Sequence, residues 1–392
     1  MDFNYSKEQK MIADSARDIA KKFGPEYWYE KEENQSFPIE FYEALAKAEI
    51  LGLGIPEEYG GAGMGLTEMV IAMDELCASG GGVAPALIIL IGTTFGAVSI
   101  LKHGNEEQKK KYLPLITSGK MRTALGLTEP DAGTNTLDIS TFAEPDGDDY
   151  VINGNKIFIT GVADAGVLIL VTRTTSRQDS AKPSQGLSLF IVDLPNDAVK
   201  ASSIPKHGIN YIKTYDLGID NLRVPKEALL GELGKGWYHV LDTLNPERII
   251  CAVGAVAGGR LAVTTASKYA NERVVFGKPI GTNQGIQFPL AEAYAKLECA
   301  KLALLKAAVL YDNNENSKLV GDISNIAKFA GVEAGIEATY HAMQAFGGSG
   351  YAKEYHVERW FREVQLMRLA PITQQMTLNY IGEHILGMPK SY

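Results

Sequence analysis

The chain has 392 residues, of which 45% are hydrophobic and 22% charged, and its formal net charge is −9. This length favours two or three domains over a single core, and the composition is that of an ordinary soluble globular protein. The acidic balance argues against non-specific binding of nucleic acid. Three dispersed cysteines and six histidines without ligand spacing indicate a reducing compartment and no metal site.

Signals for membrane insertion and export are weak. No segment reaches the ~18 uninterrupted apolar residues expected of a membrane span. The best run, residues 83–91, is short and contains Pro85. The N-terminus lacks the basic and then apolar order of a signal peptide. We therefore expect a cytoplasmic protein.

Residues 1–122 are predicted to form a helical domain. Ser6, with Gln9 at the third helical position, is typical of an N-cap, and apolar residues then repeat at helical spacing. A second helical pattern covers 34–50. A third covers 67–77, after a glycine-rich loop.

Residues 123–232 change to β-type patterns, so we expect a small all-β domain. Asn153-Gly154 is a turn-forming pair that precedes β-branched and aromatic residues. Further short strands are predicted at 167–173, 186–194 and 217–224.

Residues 233–392 return to helical patterns. Long alanine-rich runs, with apolar residues every three or four positions, cover 249–271, 290–311 and 323–346. Helices of this kind pack closely into a bundle. The predicted order along the chain is therefore helical, β and helical.

Three motifs occur together and in order. They are Leu-Thr-Glu-Pro-Asp-Ala-Gly-Thr at 127–134, Glu-Arg-Val-Val-Phe-Gly-Lys-Pro-Ile at 272–280, and Gln-Ala-Phe-Gly-Gly-Ser-Gly-Tyr at 344–351 with Arg-Trp-Phe-Arg-Glu at 359–363. With them the chain resembles the acyl-CoA dehydrogenase family over essentially its whole length. The resemblance implies a mainly α protein with a central β domain: an N-terminal helical domain, a small β-barrel domain and a C-terminal four-helix bundle.

The resemblance also implies an activity. Such enzymes use FAD to introduce an α,β double bond into an acyl-CoA thioester, giving the 2-enoyl-CoA, and they pass the electrons to an electron-transfer flavoprotein. They are typically homotetramers in which two chains share each FAD. Two other functions stay open: a flavin-dependent monooxygenase on the same fold, and a non-catalytic protein that binds FAD or acyl-CoA.

The resemblance further implies which residues contact FAD. Around the flavin ring and phosphates these are Leu127, Thr128, Gly133, Thr134, Phe158, Thr160, Thr373 and Gln375. At the adenosine diphosphate they are Arg273, Phe276 and Gln284 from one subunit and Gln344, Gly347 and Gly348 from its neighbour. Thr134 also matches a contact to the thioester. Taken alone, a phenylalanine in a strand such as Phe158 is more often a core residue, and an arginine on a helix surface such as Arg273 is more often a solvated charge.

The catalytic base is where the chain departs from the family. In place of the usual Tyr-Glu-Gly-Thr it has Ala-Pro-Ile-Thr at 370–373, and a proline cannot remove a proton. A minority of members, including the isovaleryl-CoA enzyme, carry the base at the position of Glu247, which we expect to act here. Arg248 matches a family arginine at the substrate. Pro371 also lacks the backbone N–H that polarises the thioester in relatives, so either the flavin ribityl hydroxyl acts alone or another amide serves.

Glu247 has a structural interpretation as well. Asn245 suits a helix N-cap, Pro246 suits the first helical position, and an acid in the first turn complements the helix dipole. Asp74 and Glu75 are further candidates for the base, although a packing partner and a surface charge are simpler roles for them.

Overall fold

The computed structural model describes residues 4–391, beginning with a group of helices. As predicted, Ser6 caps the first helix: its Oγ accepts the Gln9 N–H at 3.1 Å, while Gln9 Oε1 accepts the Ser6 N–H at 3.0 Å. The group comprises α1 (Lys7–Ala20), α2 (Pro25–Glu33), α3 (Ile39–Lys47), α4 (Leu66–Leu76), α5 (Ala84–Ile89), α6 (Phe95–His103) and α7 (Glu106–Thr117).

The middle of the chain forms one eight-stranded sheet. Its path is β6-β7-β3-β2-β4-β5-β8, and β1 adds to β4 in parallel. The strands are β1 (Thr123–Gly126), β2 (Phe142–Asp146), β3 (Asp149–Thr160), β4 (Val167–Arg173), β5 (Leu187–Asp193), β6 (Val199–Ser203), β7 (Thr214–Pro225) and β8 (Leu229–Leu230).

The prediction of a turn at Asn153-Gly154 is wrong. Both residues lie inside β3, where the pairing with β7 shifts register between Ile152 and Gly154. A Cβ on Gly154 would lie 2.5 Å from Thr141 Oγ1, and its φ of +152° favours glycine. Glycine is therefore favoured here because β3 bulges at this point and passes close to Thr141. The chain reverses earlier, where Asp146 pairs with Asp149.

The last part of the chain is a bundle of long helices. It comprises α8 (Gly236–Glu272), the hairpin β9 (Val274–Val275) and β10 (Lys278–Pro279), α9 (Gln284–Asp312), α10 (Ser317–Phe346), α11 (Val357–Leu369) and α12 (Gln374–Tyr380). Trp28 and Tyr42 of the first helices share one hydrophobic core with Val256 and Ala338 of this bundle. The two helical parts therefore pack directly on each other.

Two helices are long and apolar enough to span a membrane by composition alone. Ala84–His103, formed by α5, a π-helical turn and α6, has a mean hydropathy of 2.1 over its best window, and α8 has one of 1.7. In those windows 83% and 78% of the residues are buried inside the protein. This burial is the pattern of core helices.

Glycines let α8 and α10 approach closely. A Cβ on Gly335 would lie 2.4 Å from the Ala255 carbonyl oxygen, and one on Gly259 would lie 3.0 Å from the Gly335 Cα. The three atoms nearest to a Cβ on Gly335 all belong to Ala255, two of them to its backbone, so no flexible side chain can move away to make room there.

We expect Gly335→Ala to lower the free energy of unfolding by about 2 kcal/mol, because the added methyl overpacks two helix backbones. Gly285→Ala is the matched control, since a Cβ at that position in α9 meets nothing within 4 Å. Urea unfolding of the two variants measures the difference. Equal stability of both would contradict a close α8–α10 contact.

Candidate active site

Glu247 lies in the interior of α8, more than two turns after the helix begins at Gly236. The interpretation of Asn245 as an N-cap is therefore wrong. Pro246 interrupts the hydrogen bonding of the helix without ending it, and the Asn245 Oδ1 instead accepts a hydrogen bond from Arg248 Nη1 at 2.7 Å. The positive end of a helix dipole consequently does not act on Glu247.

The Glu247 carboxyl is buried and has no bonding partner within residues 4–391. It is 8% exposed and makes no hydrogen bond or ion pair with any residue in the range 4–391. Burial raises its pKa to about 8, against a smaller lowering by the Arg248 charge. The other buried carboxyl groups of the described chain are all bonded: Glu32, Asp74, Glu129 and Glu363.

Arg248, which follows Glu247 in α8, is half-buried. Burial lowers the pKa of its guanidinium, and its Nε has no hydrogen-bond partner among the described residues. Cys251 follows one turn later, and burial raises the pKa of its thiol well above the ordinary value. A protonated thiol of this kind behaves as a small apolar wall.

Lys328 of α10 anchors the segment that replaces the family's base motif. This fully buried ammonium donates to the Ile372 carbonyl and to Gln374 Oε1, both at 2.7 Å. Gln374 in turn donates from Nε2 to Glu333 Oε1 at 2.8 Å. Burial lowers the pKa of Lys328 to about 8. Sequence reasoning missed this lysine, although a single charge in the apolar run 326–331 was a visible signal.

The chain brings Leu127, Thr128, Phe158 and Thr160 together where β1 ends beside β3. The Ile157 N–H donates to the Thr128 carbonyl at 2.9 Å. Phe158 is 61% exposed, and its φ of +60° is strained for a non-glycine residue. Its exposure excludes the interpretation of Phe158 as a core aromatic within this chain.

A buried ion pair holds this corner of the sheet in place. Lys156 Nζ donates to Glu129 Oε1 at 2.8 Å and to the Leu127 carbonyl at 3.0 Å. Glu129 also accepts the N–H groups of Ser140 and Thr141, and its pKa falls to about 2, because the Lys156 charge and these donors outweigh burial. The loop that carries Gly133 and Thr134 is exposed and follows directly.

The residues predicted at the adenosine diphosphate lie on exposed surfaces. Phe276 is 102% exposed at the tip of the β9–β10 hairpin, with Arg273 before it and Gln284 at the start of α9. Gln344, Gly347 and Gly348 are exposed where α10 ends. Tyr269, one turn before Arg273, stacks on Phe346 with ring centroids 4.1 Å apart, so both groups lie at the same end of the bundle.

These surfaces fit the cofactor that the resemblance implies. An exposed aromatic held at a strained φ beside two threonines suits a planar ring system. A Cβ on Gly347 or Gly348 would meet nothing within 4 Å, which leaves open backbone for a phosphate to approach. Thr373 caps α12 by accepting the Met376 N–H, and Gln375, two residues later, is exposed.

Comparison with protein families covers nearly the whole chain. The N-terminal, middle and C-terminal domains of acyl-CoA dehydrogenase match residues 6–120, 124–222 and 234–386. The chain belongs to the acyl-CoA dehydrogenase family. It is therefore an oxidoreductase of a family whose members depend on FAD.

Individual relatives match this chain over nearly their full lengths. The acyl-CoA dehydrogenase FadE12 of Mycobacterium tuberculosis is 34% identical over 391 residues, covering 100% of this chain and 99% of the relative. CarC, a subunit of the caffeyl-CoA reductase-Etf complex of Acetobacterium woodii, is 37% identical over 384 residues, covering 97% and 99%. The butyryl-CoA dehydrogenase structure from Megasphaera elsdenii superimposes with a TM-score of 0.92 at 31% identity, covering 98% and 100%. The predicted acyl-CoA dehydrogenase fold is confirmed.

In this acyl-CoA dehydrogenase the alternative carboxylates are both bonded. Asp74 Oδ2 lies 2.7 Å from Lys301 Nζ and 2.9 Å from Arg260 Nη2. Glu75 lies 3.0 Å from Arg17 Nε. These ion pairs join α4 to α8, α9 and α1, so both acids serve helix packing.

We expect Lys328→Met to lower the free energy of unfolding by about 3 kcal/mol, because it leaves a buried carbonyl and amide without their donor. Lys318→Met, at the exposed start of the same helix, changes it by no more than about 0.5 kcal/mol. Urea unfolding measures both. A Lys328→Met protein as stable as the Lys318→Met protein would refute the anchoring role.

Proposed function

We propose that this acyl-CoA dehydrogenase introduces an α,β double bond into an acyl-CoA thioester, with Glu247 as the base that removes the α-proton. The observation that carries the proposal is the buried, unbonded Glu247 carboxyl with its pKa raised to about 8. A general base works best when its pKa lies near the working pH. A purely structural buried acid would be expected to have hydrogen-bond partners.

FAD would be held by the residues that the family resemblance assigns to it. Leu127, Thr128, Phe158 and Thr160 would contact the flavin ring, with Gly133, Thr134, Thr373 and Gln375 around it. Arg273, Phe276 and Gln284 of one subunit and Gln344, Gly347 and Gly348 of another would hold the adenosine diphosphate. When bound, FAD would supply the acceptor for a hydride from the β-carbon.

Residues around Glu247 would help it to ionise and would polarise the thioester carbonyl. Arg248 lowers the cost of ionising Glu247 in a buried site, since its charge opposes the effect of burial. The amides of Ile372 and Thr373 make no hydrogen bond with any residue in 4–391. Either amide can therefore donate to the thioester carbonyl in place of the N–H that Pro371 lacks.

An electron-transfer flavoprotein is the proposed electron acceptor, because the related CarC belongs to a complex with such a protein. A homotetramer is the proposed assembly. Large apolar side chains stand exposed on the helical bundle and its C-terminal extension, which favours burial between subunits. They are Phe276, Tyr351, Leu369, Leu386 and Met388.

Anaerobic titration of the FAD-loaded protein with a panel of acyl-CoAs tests the proposal. Flavin bleaching is expected with at least one thioester in the wild type. In Glu247→Gln we expect the rate of bleaching to fall by about a thousandfold while FAD stays bound, since general-base catalysis contributes roughly 10²–10⁴-fold.

Glu292→Gln is the matched control, because Glu292 is exposed on α9, and its rate should equal that of the wild type. Undiminished bleaching in Glu247→Gln would move the base to another residue. Absence of bleaching by every thioester in the wild type would favour the monooxygenase or the non-catalytic function.

The pH dependence of kcat/KM should reflect the same carboxyl. Because Glu247 must be ionised to accept the α-proton, kcat/KM should rise with pH up to about 8 and then level off. Steady-state kinetics between pH 6 and 9.5, with a short acyl-CoA and an artificial acceptor, measures this limb. A profile that is flat from pH 6 upward would contradict a base with a raised pKa.

A further inference from the structure

Arg173, the last residue of β4, is a buried cation that no carboxylate neutralises. The residue is 2% exposed, and its guanidinium makes no ion pair with any acid in the range 4–391. Burial lowers the pKa of the guanidinium. A buried charge without an opposite charge is costly unless hydrogen bonds satisfy it. The hydrogen-bond partners of Arg173 therefore indicate what it does.

The guanidinium is satisfied by four backbone carbonyl groups from two separate loops. Its Nε donates to the Ile139 carbonyl at 2.9 Å, and its Nη2 to the Leu137 carbonyl at 2.5 Å. Nη1 and Nη2 donate to the carbonyls of Gln185 and Pro183, both at 3.2 Å. The planar guanidinium presents donors in fixed, separate directions, whereas the donors of a lysine all radiate from one nitrogen. Arg173 therefore fixes the two loops relative to each other.

The first loop, residues 133–139, carries side chains that the family resemblance assigns to FAD and to the thioester. Gly133 and Thr134 are exposed at its start. Thr136 Oγ1 donates to the Gly133 carbonyl at 2.9 Å, so a hydrogen bond joins the start of the loop to the part that Arg173 holds. The placement of Thr134 thus depends on bonds that end at a buried guanidinium.

Both loops adjoin the helix of the candidate base. Leu137 of the first loop and Leu244 of α8 pack against the same apolar cluster, and Leu244 lies three positions before Glu247. In the second loop, Ser184 Oγ lies 3.4 Å from the hydroxyl of Tyr238 in the first turn of α8. The guanidinium therefore joins two segments that border the candidate active site.

We propose that Arg173 is a positioning residue for the dehydrogenation, holding the 133–139 loop in the conformation in which Thr134 binds the acyl-CoA thioester. The inference rests on the proposed function, because it takes Thr134 to contact the thioester. Since the donors of Arg173 are directed at backbone carbonyls, it acts on the substrate only through the loop. Glu247, on a different element, keeps its place without it.

Arg173→Gln tests this role. We expect KM to rise by at least about tenfold while kcat stays within about threefold, because the binding loop loses its fixed conformation and Glu247 does not move. Arg223→Gln is the matched control, since Arg223 is exposed on β7 of the same sheet and pairs with Asp146 and Asp149. Its KM should equal that of the wild type.

Steady-state kinetics of the FAD-loaded proteins measures both constants. The substrate is the member of the acyl-CoA panel that the wild type oxidises fastest, used with an artificial electron acceptor. A merely structural Arg173 would lower stability or FAD content and leave KM unchanged in the FAD-loaded fraction, and this result would overturn the proposal while the proposed function stands. Absence of turnover by the wild type with every thioester would remove the proposed function and this role with it.

If Arg173→Gln does not fold, Arg173→Lys provides the second test. Lysine keeps a positive charge at the site but cannot reproduce four bonds to two loops from a single nitrogen. We expect KM to rise by about threefold or more with kcat unchanged, and the amides of residues 133–139 to exchange hydrogen faster than in the wild type. A wild-type KM in Arg173→Lys would likewise overturn the proposal.

Discussion

A helix that is apolar on nearly every side must be covered on nearly every side, and α8 imposes this condition on the whole protein. The helix 84–103 covers one face, α10 another, and α4 and α9 the remainder. Close contacts at Gly254, Gly258 and Gly335 show how little room is left. A carboxyl placed in this helix is removed from water without any loop having to close over it.

This burial gives an ordinary side chain an unusual pKa. Asp74 is as deeply buried as Glu247, but two cations lie within 3 Å of it. Glu129 is likewise held by Lys156. An unpaired buried acid costs folding free energy, and a fold that keeps one invites a functional explanation. Chemistry at the α-carbon is such an explanation, because a base must hold a proton and release it in each turnover.

Sequence reasoning was reliable where a local rule decides the structure. The Ser6 cap depends only on neighbouring residues, and the strands of the sheet follow their own apolar patterns. It was unreliable where packing overrides a local preference. Asn245-Pro246 has the form of a helix start, yet residues 236–244 continue the helix before it because their apolar side chains are needed in the core. Asn153-Gly154 has the form of a turn, yet close approach to Thr141 keeps it in a strand.

In the candidate site too, some residues can be found from a local sequence motif and others only from tertiary contacts. Glu247 could be proposed as the base from the family motif alone, because the missing glutamate at Pro371 leaves few positions for one. The role of Lys328 could not be proposed in this way, since its partners Ile372 and Gln374 are some 45 positions away in sequence and are found only through tertiary contact. A base on the core helix α8 depends on helix packing and not on the conformation of the 370–373 loop. That loop is therefore free to carry a proline, provided that the buried Lys328 ammonium still fixes the Ile372 carbonyl.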